Sequence, residues 1–147
     1  NINELYSRLT AVMENLCVKE GISTDSYEII MVDDGSTDCS WQFIKELHKK
    51  DLRIKGINLS RNFGHHIAIT AGLDHAKGEA VILMDGDLQD PPDEIPKLYE
   101  KFNEGYDVVY GIRKERQDTI LKKTTSPHPN NLIATQENSS KNQKIVL

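Results

Sequence analysis

The chain has 147 residues, 37% of them hydrophobic, and a formal net charge of −5 at pH 7. This length suits one domain with a core of its own, whereas the acidic balance argues against a nucleic-acid binder, which needs a basic surface. No apolar run approaches the roughly 20 residues that cross a bilayer. Two cysteines, Cys17 and Cys39, are too few for a disulfide framework, so we expect buried thiols and a reducing, cytoplasmic setting.

Helices and strands are predicted to alternate along the first 112 residues. Apolar side chains at helical spacing predict helices in four segments, 5–16, 38–47, 65–76 and 92–105. Short apolar or β-branched runs predict strands in four others, 27–32, 53–59, 80–84 and 106–112. Asp38 is expected to cap the second helix, while Pro92 and Gly105 suit the beginning and the end of the last.

This alternation predicts an α/β fold, a Rossmann-like and mostly parallel sheet with helices on both faces. The order begins with a helix, which in such folds usually follows a strand. We therefore expect a first strand to be missing, leaving an unpaired sheet edge through which an oligomer could form. The domain is expected to span 1–116, followed by a polar, poorly ordered tail at 117–147.

Two carboxylates follow the third predicted strand. Asp85 and Asp87 flank a glycine, and Gln89 comes two residues later. In open α/β sheets, ligands bind beyond the carboxyl ends of the strands, and carboxylate and amide oxygens suit hard cations such as Mg²⁺ or Mn²⁺. An isolated Asp-X-Asp is more often a solvated acidic turn, but its place after a buried strand favours a metal site.

The first predicted strand also ends in paired carboxylates. Asp33 and Asp34 are followed by Gly35 and Ser36. A turn explains the glycine and the serine, but it explains the two aspartates less well. Asp33 is therefore a candidate to accept hydrogen bonds from a base or a ribose.

Basic side chains follow the second and fourth predicted strands. Arg61 is either a diphosphate ligand or a plain surface arginine. His65 and His66 diverge by about 100° on a helix, so we interpret them as helix-start residues beside a cleft and not as a shared metal site. Arg113 and its basic neighbours at 114 and 116 are interpreted as a solvated turn. Polar clusters at successive strand ends predict a cleft for a nucleoside diphosphate and a metal.

Several familiar motifs do not fit this sequence. No Gly-X-Gly-X-X-Gly follows a strand, and there is no Walker A sequence. An EF-hand loop beginning at Asp85 would need glycine in place of Asp90 and glutamate in place of Pro96. A haloacid-dehalogenase-type phosphatase also places Asp-X-Asp after a strand, but its pattern usually does not continue with Leu88 and Gln89.

The combined motifs resemble those of family 2 glycosyltransferases. The run Val-Asp-Asp-Gly-Ser-Thr-Asp at 32–38 is similar to that family's first nucleotide-binding motif, and Asp-Gly-Asp at 85–87 to its Asp-X-Asp motif. The stretches 61–65, 71–76 and 85–92 resemble the polyprenyl-phosphate hexosyltransferase branch, which includes dolichyl-phosphate mannose synthases and undecaprenyl-phosphate glucosyltransferases. The likeness covers 1–116 without the family's opening strand or its membrane helices, so the chain looks truncated at both ends.

The resemblance implies a GT-A fold and a metal-dependent, inverting transfer of a hexose. The donor would be a nucleotide-sugar of the UDP-glucose or GDP-mannose type, and the acceptor a polyprenyl phosphate. Asp33 and Asp34 would hold the nucleoside, and Asp85, Asp87 and Gln89 would surround Mg²⁺ or Mn²⁺ and the diphosphate. Full-length relatives would act at the cytoplasmic face of a membrane, and this chain alone is expected to transfer little. A non-catalytic nucleotide-binding fragment and a dehalogenase-type phosphatase are the alternatives.

Overall fold

The computed structural model describes residues 2–111 and the backbone of residues 145–146. The helices in this part of the chain are α1 (Ile2–Glu20), α2 (Ser40–Lys50), α3 (His65–His75) and α4 (Ile95–Asn103). The strands are β1 (Tyr27–Asp33), β2 (Ile54–Asn58), β3 (Ala80–Val81) and β4 (Ile145–Val146). A 3-10 turn at Pro92–Glu94 leads into α4. No helix among these residues is both long and apolar enough to cross a membrane.

The strands form one parallel sheet in the order β2-β1-β4-β3. β1 pairs with β2 over five residues, ending where Asp33 lies beside Asn58. β4 lies between β1 and β3, and Val146 is level with Glu28 on one side and Val81 on the other. The predicted class, an α/β fold with a parallel sheet, is confirmed.

The core lies where α1 packs over the sheet beside α4. Its fully buried side chains include Met13 of α1, Ile54 of β2 and Ile95 of α4, each 0% exposed. Burying a side chain of this size contributes about 1.5–3 kcal/mol, so these contacts fix the strands on which the polar loops stand. Cys17 is buried as expected, but Cys39 is exposed at the beginning of α2, and that part of the prediction was wrong.

Strand lengths differ most from expectation near β3. Among the described residues, the predicted strand at 80–84 is paired only at Ala80–Val81, which lie beside Ile145–Val146 of β4. The strand predicted at 106–112 is wrong for 106–111, which has no ladder partner in the described part of the chain. Tyr106 and Tyr110 in that segment remain exposed.

The edge of β1 that was expected to be open is partly occupied. Over Tyr27 and Glu28 it pairs with β4, so two residues from the predicted tail form a strand. An oligomer formed through that edge therefore has no support. The rest of the tail lies outside the described residues, and so do Arg113 and its basic neighbours, which precede it.

Candidate functional site

The sheet brings the loops that follow β1, β2 and β3 to one edge. Asp33 lies five residues beyond Glu28, and Asp85 lies four residues beyond Val81, so both come after the level at which β1, β4 and β3 pair. Since β4 separates their strands, β1 and β3 are roughly 10 Å apart at a strand spacing of about 4.8 Å. The chain passes from β1 to β2 on one side, while β3 lies on the other. This is the topological switch point at which open α/β sheets bind ligands.

Asp33 ends β1 as a buried carboxylate, with a residue exposure of 4%. Its Oδ1 accepts a hydrogen bond from the amide of Ser36 at 2.9 Å, and its carbonyl accepts one from the amide of Leu59. Its Oδ2 has no donor among residues 2–111. The turn interpretation and the binding interpretation of Asp33 are thus compatible, because each uses a different oxygen.

Asp34 connects the loop after β1 to the loop after β2. Its Oδ1 accepts from the amide of Phe63 at 2.8 Å, and its Oδ2 accepts from the amide of Gly64 at 2.9 Å. Gly35 lies against the same loop with φ +71°, and a Cβ built there would be 2.4 Å from the carbonyl carbon of Arg61. Only glycine therefore fits between these two loops without displacement.

Arg61 is exposed on the loop that leads into α3. Its guanidinium carbon is 4.8 Å from the centroid of the Phe63 ring, within the range of a cation–π contact. His65 and His66 begin α3, as predicted, and both are exposed. Their ring centroids are 6.0 Å apart at 61°. A positive side chain thus stands at the same edge of the sheet as the acidic loops.

The Asp85–Gln89 segment forms a tight acidic loop after β3. Asp85 is half-buried and Asp87 is exposed, and the Oδ1 of Asp87 accepts a hydrogen bond from the amide of Gln89 at 2.9 Å. Leu88 between them has φ +66°, a conformation that non-glycine residues rarely adopt. Such local strain is found most often at functional sites.

The donor set of this loop fits a cation only in part. Within the described ranges, no three His, Cys, Asp or Glu side chains are grouped so as to hold a metal ion. Asp85 and Asp87 supply carboxylate oxygens of the kind that Mg²⁺ and Mn²⁺ prefer, but Mg²⁺ usually keeps several waters or substrate phosphates in its shell. These residues therefore suit a cation whose remaining ligands come from a bound diphosphate.

Sequence reasoning did not find a partly buried ion pair at the opposite end of the sheet. Glu28, 8% exposed in β1, pairs with Lys55 of β2 and accepts a hydrogen bond from the amide of Lys77 at 2.7 Å. A glutamate inside an apolar strand was the available signal, because buried acidic residues are nearly always paired. The pair joins β1, β2 and the chain leading to β3, so its role is structural.

A family model described as "Glycosyl transferase family 2" matches residues 1–146. The chain is 46% identical over 126 residues to "Uncharacterized glycosyltransferase YkcC" of Bacillus subtilis, a match that covers 85% of this chain and 37% of the relative. It is 44% identical over 127 residues to "Uncharacterized glycosyltransferase sll0501" of Synechocystis sp., covering 86% and 38%.

A third relative has a more specific name. The chain is 42% identical over 134 residues to "Undecaprenyl-phosphate 4-deoxy-4-formamido-L-arabinose transferase" of Salmonella paratyphi A, covering 90% of this chain and 39% of the relative. The chain thus spans about two fifths of the length of the curated relatives that it matches.

Proposed function

The chain belongs to glycosyl transferase family 2, and from this membership we propose that it binds the nucleotide-sugar donor of an inverting hexosyltransferase. The acceptor is a polyprenyl phosphate. The main support for the proposal is the placement of the loops. Loops with two acidic pairs and one arginine lie on either side of the sheet's switch point. The name of the Salmonella relative, which specifies undecaprenyl phosphate, supports the choice of acceptor. The family match leaves the phosphatase alternative without support.

Each loop has a distinct role in holding the donor. The Oδ2 of Asp33 accepts hydrogen bonds from the nucleoside, whose base and ribose carry N–H and O–H donors. The exposed guanidinium of Arg61 meets the diphosphate, since its planar fork suits phosphate oxygens. Asp85 and Asp87, with Gln89 beside them, would hold a divalent cation.

The reaction exchanges one bond at the anomeric carbon for another. The bond from that carbon to the diphosphate oxygen breaks, and a phosphate oxygen of the acceptor bonds to the carbon from the opposite face. The nucleoside diphosphate leaves with the electron pair. A lipid phosphate is already anionic at neutral pH, so the chain needs no general base, and its contribution is positioning and charge stabilisation. A cation held by Asp85 and Asp87 would supply positive charge that stabilises the departing diphosphate.

Binding of the acceptor is assigned to the whole protein and not to this chain alone. Since this chain spans about two fifths of its relatives, we propose that acceptor binding and the approach to the cytoplasmic face of a membrane depend on further sequence. Donor binding is the part of the reaction assigned to the described residues. On this basis the chain by itself is expected to bind the donor and to transfer little sugar.

A labelled-donor assay tests this assignment. The chain is incubated with UDP-glucose or GDP-mannose labelled in the sugar, Mn²⁺ and a short polyprenyl phosphate, and the label is followed in protein-bound, lipid and water-soluble fractions. Label retained on the protein as intact donor, or moved to the lipid, supports the proposal. Release of free sugar indicates hydrolysis, and no retention of either donor would contradict donor binding.

A further inference from the structure

The side chain of Asp34 joins the loop after β1 to the backbone of the loop after β2. Both of its carboxylate oxygens accept amide hydrogen bonds from the loop after β2, at 2.8 Å from Phe63 and 2.9 Å from Gly64. Hydrogen bonds to an ionised acceptor are roughly twice as strong as those between neutral groups. Because the two donors are successive amides, these bonds fix both the position and the direction of the loop.

Gly35 makes the contact between the two loops close. A Cβ at this position would lie 2.4 Å from the carbonyl carbon and 2.8 Å from the Cα of Arg61, and 2.5 Å from the amide nitrogen of Asn62. The backbones of the two loops are therefore in contact at Arg61. The position of Arg61 depends on the loop after β1 as well as on its own strand.

Phe63 links the hydrogen bonds of Asp34 to the arginine side chain. The amide of Phe63 donates to Asp34, and its ring lies beneath the guanidinium of Arg61 at 4.8 Å. Rotating or displacing Phe63 would remove the support on which the guanidinium rests. The adjacent Gly64, the other donor to Asp34, begins α3 without a side-chain cap, so Asp34 also fixes the start of that helix.

We propose that Asp34 is a positioning residue, which acts on the donor through the Arg61 loop instead of through a nucleoside contact of its own. This inference deepens the proposed function and rests on it, because Arg61 must meet the diphosphate. It assigns Asp34 a different role from that of Asp33, whose side chain makes a single hydrogen bond within the described residues, a local one to Ser36. Nucleotide affinity should therefore depend on Asp34 only while Arg61 is present.

The first test needs neither a variant nor a nucleotide. Amide hydrogen exchange of the wild-type chain is measured by NMR at residues 61–66. The amides of Phe63 and Gly64 should exchange more slowly than that of Asn62, although all three lie in the same surface loop. Equal exchange at the three positions would overturn the two hydrogen bonds to Asp34, whether or not the chain binds nucleotides.

The second test is a double-mutant cycle on nucleotide affinity. UDP and GDP are titrated with Mn²⁺ into wild type, Asp34→Asn, Arg61→Ala and the double variant, with Asp25→Asn as a charge-matched control at the other end of β1. Asparagine retains one acceptor oxygen and loses the charge. We expect each single variant to bind about tenfold more weakly, and the double variant to bind no more weakly than Arg61→Ala.

The outcomes separate the two proposals. Single-variant effects that multiply in the double variant would show that Asp34 contacts the nucleotide independently, and would overturn the positioning role. Failure of the wild type to bind either nucleotide would contradict the proposed function. The exchange measurement alone would then test the two hydrogen bonds to Asp34. If circular dichroism shows that Asp34→Asn does not fold, the wild-type exchange rates still test the two hydrogen bonds to Asp34.

Discussion

Replacing Gly35 with alanine should destabilise the chain more than its backbone conformation alone requires. The residue has φ +71°, where an L side chain costs about 1–2 kcal/mol. The added Cβ would also lie 2.4 Å from a backbone carbon of Arg61, so one of two backbones must move. Overpacking of this kind costs about 1–3 kcal/mol, which gives a total loss of about 2–5 kcal/mol.

Gly21 provides a matched control. Its φ is +68°, nearly that of Gly35, but a Cβ there would meet nothing within 4 Å. Gly21→Ala should therefore show only the backbone strain, and the effect of alanine on the unfolded chain is common to both variants. The difference between Gly35→Ala and Gly21→Ala isolates the close approach of the two loops, at about 1–3 kcal/mol.

Urea unfolding followed by far-UV circular dichroism measures both variants. The free energy of unfolding is compared at equal m-values, so that a change in the denatured state is recognised. Nucleotide affinity should also fall for Gly35→Ala and remain unchanged for Gly21→Ala. Equal losses of stability in the two variants would refute the loop contact on which the position of Arg61 depends.

Three further predictions concern other parts of the molecule. Asp33→Asn should weaken nucleotide binding about 10- to 150-fold in calorimetry, because a hydrogen bond to an ionised group contributes about 1.5–3 kcal/mol, and unchanged affinity would return Asp33 to a turn role. The Arg53 side chain holds the pKa of Asp51 below its usual range, so stability should be lost as pH falls below about 4. Asp51→Asn should reduce this dependence of stability on pH, and an unaltered profile of urea stability against pH would contradict the Asp51–Arg53 pair. Ile145→Pro removes an amide from the centre of the sheet, so hydrogen exchange should accelerate at Glu28 and its neighbours, and unaltered exchange would contradict the pairing of β4.

The helices and the first two strands could be predicted because their signals are local. Apolar spacing and terminal residues placed α1, α2, α3 and α4 within a few residues of their observed bounds. Strand pairing at β3 and beyond was not predictable in this way. An apolar run such as 80–84 shows that a strand is favoured, but its paired length depends on the neighbour, here the two residues of β4.

The candidate site likewise has local contacts, which could be predicted from the sequence, and long-range contacts, which could not. The hydrogen bond from Ser36 to Asp33 joins residues three apart, so the turn was visible in the sequence. The bonds from Phe63 and Gly64 to Asp34 join residues 29 and 30 apart. The family resemblance therefore placed Asp34 beside Asp33 as a nucleoside ligand, and the need for glycine at position 35 appeared to be that of an ordinary turn. Which acidic residue faces a ligand depends on tertiary contacts.

A joint site for a nucleotide and a divalent cation at the carboxyl-terminal edge of the sheet is the main proposal. Its most direct test is calorimetric titration of UDP and GDP into the chain, in Mn²⁺ and in chelator, for wild type, Asp87→Ala and the Asp25→Asn control. We predict that one nucleotide binds the wild type and the control in Mn²⁺, and that its affinity is lost or greatly reduced in chelator and in Asp87→Ala. Equal binding under all these conditions would contradict a nucleotide site that depends on the cation and on Asp87.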